Sequence, residues 1–442
     1  MPKWIRRIIF WTFILVFLMI APLLVLYTAG YRYNISTNSV TRTGVLSITT
    51  SIRNADIYLD GQYTQTKTPE VLKRIMPDEY SLELSKEGYH SWFGDIEVES
   101  GRTVQLQNVM LFTDTNPELL FNKDTQVLSV NPNGESIAYV VREGGWQETW
   151  LYFPQDNAHI LIAQVIDAED EVSLSWSAQG SYLLVFDITN ESIQVFNDQG
   201  GIVETDYDDA IATAWHPSDD HLLSLTTNSQ IMQLNLQNGS VGVLDQTSET
   251  SVVLDASILK LIDGDEFTEV AQYVGRSKET LALLPKATYT IQERDGTYLI
   301  LIDSIGELYL IKIHEDEPIL LKSDVLAYDW DENLDRLVYT DGFELSIYDA
   351  RTHTTELVTR QSSMIQSVNW HPEADIIFVQ DTGLRAFEAY AQAEQRYTTT
   401  LMDNADFQEI WISEDGETLY FYGTADGAYG VYQLQLTSSD PF

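Results

Sequence analysis

The sequence predicts an all-β chain behind a single apolar helix, with a small sandwich first and a larger repeat domain after it. Three observations predict it. An apolar run of about twenty residues lies near the amino end, short stretches alternate with period two from Gly44 onward, and one phrase returns about every 40 residues through the remainder.

Ile8 to Tyr27 is interrupted only by Thr12 and Pro22, and the amino-terminal segment through Val45 holds no acidic residue. At about 1.5 Å rise per residue, such a run matches the roughly 30 Å hydrocarbon layer of a bilayer. Residues 1–30 are therefore expected to be a cytoplasmic stub and transmembrane signal-anchor, and residues 31–43 a linker. Lys3, Arg6 and Arg7 precede the run, while Arg32 and Arg42 follow it. Positive charge beside a spanning helix stays inside, which places the amino terminus in the cytoplasm and the bulk of the chain outside the cell membrane. Trp4, Trp11, Tyr27, Tyr31 and Tyr33 suit the two headgroup layers. The competing reading is a cleaved signal peptide, since Thr28-Ala29-Gly30 offers small residues to a peptidase. The apolar region of such a peptide would be about 7–15 residues, shorter than this one. There is no Cys, hence no disulfide and no lipid-modified cysteine.

The chain carries 25 basic and 67 acidic residues, a formal charge of −42. That surface repels phosphates, so no nucleic-acid partner is expected. Solubility in a saline setting accounts for the acidity, with recruitment of divalent cations or basic partners as the alternative. Acidic stretches such as Asp167 to Glu171 and Asp206 to Asp209 lie between strand-like segments and read as solvated loops.

From Gly44, four short segments alternate: Val45–Ile48, Ala55–Leu59, Tyr80–Leu84 and Asp95–Val98. Alternation buries one face and wets the other, so this stretch predicts a small antiparallel sandwich. Asp60-Gly61 is a hairpin signal, because Gly accepts positive φ without a Cβ clash. Thr68-Pro69 and Met76-Pro77 confine strands to edges or end them, because Pro has no N–H to give the ladder.

The run Ala55 to Gly61, then Thr68-Pro69, Pro77-Asp78-Glu79-Tyr80, Lys86-Glu87-Gly88-Tyr89 and Trp92, resembles a PEGA domain in order and spacing over residues 44–112. It departs at the tetrad that names the family, where Ile52-Arg53-Asn54-Ala55 keeps only the last residue, and Asp78 stands where Gly is usual. The resemblance implies an envelope spacer or adhesion unit without catalytic residues. Gly88-Tyr89 and Trp92 read as core rather than as a sugar-binding platform, because a small sandwich needs large aromatics inside.

Residues 113–442 repeat a strand, a Pro/Asp/Gly-type turn and a second, strongly apolar strand. The phrase runs Leu128 to Gly134 before Ile137–Val140, Leu174 to Gly180 before Tyr182–Phe186, and Ala214-Trp215-His216-Pro217 before Leu222–Leu225. It returns as Tyr328 to Asp331 before Leu337–Tyr339, Val368 to Pro372 before Ile376–Val379, and Ile410 to Gly416 before Leu419–Phe421. Trp176 to Trp215, Trp330 to Trp370 and Trp370 to Trp411 are each about 40 residues apart, the size of a four-stranded propeller blade. A clear further unit lies at Thr288–Leu310, and a degenerate one lies around Val252 to Leu284. These units predict a β-propeller of eight blades, or seven if the degenerate unit is an insertion. Glu118 to Phe121 precedes the first unit, and the last offers three strands, so the early strand is expected to close the circle and leave no open edge. The repeat resembles TolB-type and WD40-like propellers, although no Gly-His dipeptide occurs. The order of helix, PEGA domain and degenerate propeller resembles envelope proteins of bacteria with small genomes, which implies location and architecture.

Catalytic chemistry has no motif here. None of the seven His (His90, His159, His216, His221, His314, His353, His371) stands at a spacing that puts two imidazoles on one metal. His216 and His371 share one repeat position just after the Trp and read as turn residues. No Gly-x-Ser-x-Gly elbow occurs, and Gly144-Gly145 and Gly200-Gly201 read as hairpin tips. Asp329, Asp331, Asn333 and Asp335 alternate like the start of a calcium loop and are the weak metal candidates, but Leu334 stands where that loop needs Gly and Thr340 where it needs Glu. No catalytic residue and no cofactor is predicted. The expected role is a non-enzymatic binding or scaffolding module of the cell envelope, with a propeller face turned to a protein or glycan partner. The rival is a propeller hydrolase or lyase acting on envelope polymers through channel carboxylates. Convergent carboxylates with raised pKa would favour the rival, and a flat, aromatic-rich rim the binder.

Overall fold

The computed structural model describes residues 3–34, 39–165, 171–207, 209–216, 218–246, 251–254, 257–274, 277–294, 297–313, 317–331, 334–389, 396–403, 406–425 and 427–437. Asp167 to Asp170, Asp208, Pro217, His314 and Asn333, all singled out above, lie outside them. The chain forms two compact units. One holds Met1–Thr115 with Phe387–Leu401, and the other holds Asn116–Ala386 with Met402–Ser438.

The first unit opens with a helix over Lys3–Thr28, 26 residues long, with apolar side chains almost all exposed. Its length, roughly 39 Å, exceeds the hydrocarbon layer. Inside the run the Thr12 hydroxyl donates to the Ile8 carbonyl at 2.9 Å, so its polar group is satisfied within the helix. Gly30, at φ +87°, ends the helix in the left-handed region, as a C-terminal cap requires. A hairpin of Tyr31–Asn34 and Ser39–Arg42 then brings the chain back, so that the Thr43 amide and hydroxyl both donate to the Gly30 carbonyl at 2.9 Å.

Two sheets follow: Glu70–Ile75, Gly44–Thr50 and Thr103–Val109 in one, and Gln62–Lys67, Asp56–Leu59, Asp78–Ser85 and Trp92–Val98 in the other. The two strands bounded by proline, Gln62–Lys67 and Glu70–Ile75, are both edges. Asp60 and Gly61 have φ of +49° and +71°, the double left-handed pair of a tight hairpin. One expectation is corrected: the sandwich is not wholly antiparallel, because Gly44–Thr50 pairs in parallel with Thr103–Val109. The chain leaves for the other sheet and re-enters from the same end, which a hairpin reading of neighbouring strands does not register. Leu46, Ile48, Ile57, Leu82, Leu84, Trp92, Ile96 and Leu106 form the core, with Trp92 inside it.

Phe387–Leu401 completes this unit. The Trp92 indole donates to Glu388 Oε1 at 2.7 Å, and Tyr397 packs edge-on against Trp92 at 4.5 Å while its hydroxyl donates to the Asp95 carbonyl at 2.8 Å. Gly94 leaves the room: a Cβ there would run into both rings.

From residue 116 onward the chain forms eight four-stranded antiparallel sheets among the described residues. In chain order they span 125–165, 172–207, 210–245, 251–285, 289–322, 327–360 and 367–403, each a simple meander; the eighth joins 406–412, 418–425 and 428–435 to the early strand 118–121. That strand pairs antiparallel with 428–435, as the closure of a circle requires. The eighth sheet meets the first, where the Tyr422 and Tyr429 hydroxyls donate to the carbonyls of Gln126 and Thr125. The degenerate stretch around Val252 to Leu284 is a full sheet.

Burial explains the pattern. Second strands such as Arg336–Thr340 and Ile376–Gln380 are buried at every position, covered on both faces, whereas fourth strands such as Ser240–Asp245 and Thr354–Arg360 are mostly exposed. First strands of neighbouring sheets touch one another, 125–130 with 172–176 and 327–331 with 367–370. The sheets therefore run from a packed inner edge to a wet outer one.

Gly134, Gly180 and Gly416 take one position in three turns, with φ of +72°, +77° and +67°. A Cβ at Gly134 meets nothing within 4 Å, whereas at Gly416 it overlaps the His371 ring. Gly134→Ala should cost about 1–2 kcal/mol, from backbone strain alone. Gly416→Ala should cost about 2 kcal/mol more, because the neighbouring sheet must give way. Denaturant unfolding of the two variants checks the difference.

Candidate functional site

Three sheets are fastened to their predecessors by a Trp at the end of the first strand. The Trp176 indole donates to the Ser129 carbonyl at 3.2 Å, Trp215 to the Ser175 carbonyl at 3.3 Å, and Trp370 to the Asp329 carbonyl at 3.1 Å. Each bond crosses to the preceding sheet, and each acceptor stands one residue before the matching position there. The next residue caps the turn: Asn131 Oδ1 accepts from the Asn133 amide, and Ser177 Oγ from the Tyr182 amide. His216 Nδ1 accepts from the Ser218 and Asp219 amides, and His371 Nδ1 from those of Glu373 and Ala374. With Nδ1 accepting, His371 Nε2 carries the proton and donates to the Gly416 carbonyl of the next sheet at 3.2 Å. Asn131 makes the same reach, its Nδ2 donating to the Gly180 carbonyl at 2.9 Å.

Trp411 departs from the sequence alignment. The amide of Ser413 donates to the Thr418 carbonyl, as that of His371 does to Ile376, so Ile412 and not Trp411 holds the repeat position. Side chains alternate along a strand, and a one-residue offset turns Trp411 to the other face, where it stacks on Tyr422 at 5.9 Å.

The alternating acids lie at this end of the sixth sheet. Asp329 accepts from the Trp370 amide at 2.6 Å and the Trp330 amide at 3.1 Å; burial pushes its carboxyl up to about 7 against those two bonds. Asp331 accepts from the Leu334 amide at 3.2 Å and pairs with Arg336 at 2.6 Å. Asp335 takes φ +51° in the turn, and Asn333 lies outside the described residues. Among the described residues, no three His, Cys, Asp or Glu are grouped to hold a metal ion. Arg336, buried to 2%, also pairs with Asp375 of the next sheet at 2.7 Å and lies 4.5 Å from the centre of the Trp370 ring. It lies under a cavity of about 890 Å³ lined by Asp331, His371, Glu373, Asp375 and Glu414. A lone basic residue opening a strongly apolar strand was its one sequence signal.

Carboxyls raised by burial do not gather in one place. Asp329 and Glu409 stand on different sheets, and Glu388, pushed up to about 7, accepts from Trp92 in the first unit.

The opposite end of the sheets differs in chemistry. In a meander the turn between second and third strands and the link leaving the fourth share one end. There Ile305 is 69% exposed, Leu326 49%, Phe343 50% and Met364 52%. They form one patch over three sheets. The Val325 amide donates to the Gly306 carbonyl, the Ile365 amide to the Gly342 carbonyl, and Gly342 lies against both Leu326 and Met364. Asp341 braces the turn that displays Phe343, accepting from the Phe343 and Glu344 amides at 3.0 and 2.9 Å. Trp146, Ile188, Ile211 and Phe267 are exposed at the same end of the first four sheets. Among the described residues of the Trp-following turns, no large apolar side chain is exposed. Sequence reading missed the patch, although each member sits beside turn residues, as in Ser304-Ile305-Gly306 and Asp341-Gly342-Phe343, where an apolar side chain has no strand face to fill.

Residues 43–111 match the PEGA domain family. The first unit carries a PEGA domain. Its sandwich is thus a PEGA fold that keeps Trp92 inside. No curated protein matches the chain. Among solved structures, the Dos1 propeller is similar over 74% of this chain and 96% of its own, at 13% identity and a TM-score of 0.51, which shows the fold. Saccharomyces cerevisiae Sqt1 aligns over 74% of this chain and 99% of its own, at 10% identity and a TM-score of 0.48. Behind an apolar helix long enough to span a bilayer, the chain joins a PEGA domain to a β-propeller.

Burial lowers His371 to about 4, against the Gly416 bond that favours its proton. An unfolded histidine titrates near about 6.5, so the unfolded chain takes the proton first. Stability should therefore fall as pH drops from about 6.5 to about 4, by roughly 3 kcal/mol, and no further below that through this residue. His371→Asn, which supplies the acceptor and donor that Asn131 uses, should stay near wild-type stability at pH 7 and remove that part of the slope. Unfolding curves of both proteins from pH 7 to 4 give the comparison.

Proposed function

We propose that this protein is a single-pass scaffold of the cell envelope, with its amino terminus cytoplasmic and its PEGA and propeller domains outside the cell membrane. The apolar helix and the basic flank of Lys3, Arg6 and Arg7 support the anchor and its sidedness. The PEGA domain supports the envelope setting. The contiguous rim patch of Ile305, Leu326, Phe343 and Met364 carries the binding role, since exposed apolar patches rimmed by polar residues mark interaction sites. Three of its four anchors are aliphatic or thioether side chains, which suit an apolar protein surface better than a sugar. Residues 116–442 hold 56 acidic and 14 basic residues, so the partner's flanks are basic.

The carboxylates do not favour the hydrolase or lyase alternative. Asp329 accepts from two backbone amides in the second unit, and Glu388 accepts from the Trp92 indole within the first.

Crosslinking in intact cells, followed by mass spectrometry, should join one partner protein to the segments around 305, 326, 343 and 364. The triple variant Leu326→Glu, Phe343→Glu, Met364→Glu should unfold within about 0.5 kcal/mol per site of the parent, because the side chains are exposed, and should lose those crosslinks. Protease added to intact cells should digest the chain beyond residue 31; digestion only after the bilayer is opened would reverse the sidedness. Retained crosslinks in the triple variant would remove the rim from the interface.

A further inference from the structure

The charge of this chain is unevenly distributed. Residues 1–115 hold 11 basic and 11 acidic residues, while 116–442 carry the whole imbalance. Part of the basic share gathers at the carboxyl end of the helix. The Arg32 guanidinium lies 3.8 Å from the centre of the Tyr27 ring, and Arg74, from the edge strand Glu70–Ile75 of the PEGA sandwich, reaches to 6.0 Å of the same ring. Lys73 beside it is exposed, and Arg42 lies across Gly101, where a Cβ would stand 3.1 Å from its Cδ. None of these four cations has an ion-pair partner among the described residues. Tyr31, Tyr33 and Val40 of the hairpin are exposed around them, and the double bond from Thr43 to the Gly30 carbonyl holds that hairpin at the helix end.

We propose that this face of the PEGA unit lies on the bilayer and binds the headgroups of anionic phospholipids, with Arg32, Arg42, Lys73 and Arg74 at the phosphates and Tyr27, Tyr31 and Tyr33 among the headgroups. The occupant follows from continuity and charge. The helix that would enter the hydrocarbon ends within this cluster, and unpaired cations beside interfacial aromatics are what an anionic surface attracts. The PEGA sandwich is then a foot resting on the membrane rather than a spacer. The proposal rests on the helix being a retained anchor.

The test uses the full chain in nanodiscs of phosphatidylcholine alone, or with about one third phosphatidylglycerol, and follows trypsin cleavage after Lys73 against cleavage after Lys123 in the same sample. Cleavage after Lys73 should slow about fivefold or more in the anionic discs, recover in high salt, and leave Lys123 unchanged. Arg32→Gln, Arg42→Gln, Arg74→Gln together should erase the difference while keeping the reporter site. Equal rates of wild-type cleavage in the two discs would overturn the proposal and leave the anchor standing. Failure to enter discs of either composition, or to float with vesicles, would overturn the anchor and the proposal together.

Discussion

The indole that reaches back to the preceding sheet sets the geometry of the second unit. A strand pair fixes its own register through its ladder, but nothing in one sheet determines its height against the next. Trp176, Trp215 and Trp370 do so by donating to the carbonyl one residue before the matching position. Capping side chains add a second tie in two places, as Asn131 reaches Gly180 and His371 reaches Gly416. Ile305, Leu326, Phe343 and Met364 form one surface although they come from three sheets.

Features with a local cause were readable in advance. Asp60-Gly61 turns where Gly permits it, the two prolines bound edge strands, and the early strand at Glu118 fills the place left by a three-stranded last repeat. Features decided by distant partners were not. The parallel pairing of Gly44–Thr50 with Thr103–Val109 needs a strand met much later, and the contact of Glu388 and Tyr397 with Trp92 joins segments about 300 residues apart. Sheet 251–285 carries no Trp at its first turn, so its membership rests on its ladders rather than on a motif.

The alternating acids from Asp329 to Asp335 show how one spacing can serve two chemistries. A calcium loop needs oxygens that converge on an ion. Here Asp329 and Asp331 stand two apart on a strand, and the groups that face them are backbone amides and Arg336. The guanidinium arrives from the following strand, so its pairing was invisible in a motif that ends before it.

The pairing of 118–121 with 428–435 also orders events during synthesis. The first of these strands emerges about 300 residues before its partner, which at about 5–20 residues per second is a wait of roughly 15–60 s. Until then the early strand has no partner and displays unpaired amides and carbonyls along its edge. A nascent chain in that condition is a natural client for a holdase, and loss of the strand 428–435 would leave it so permanently.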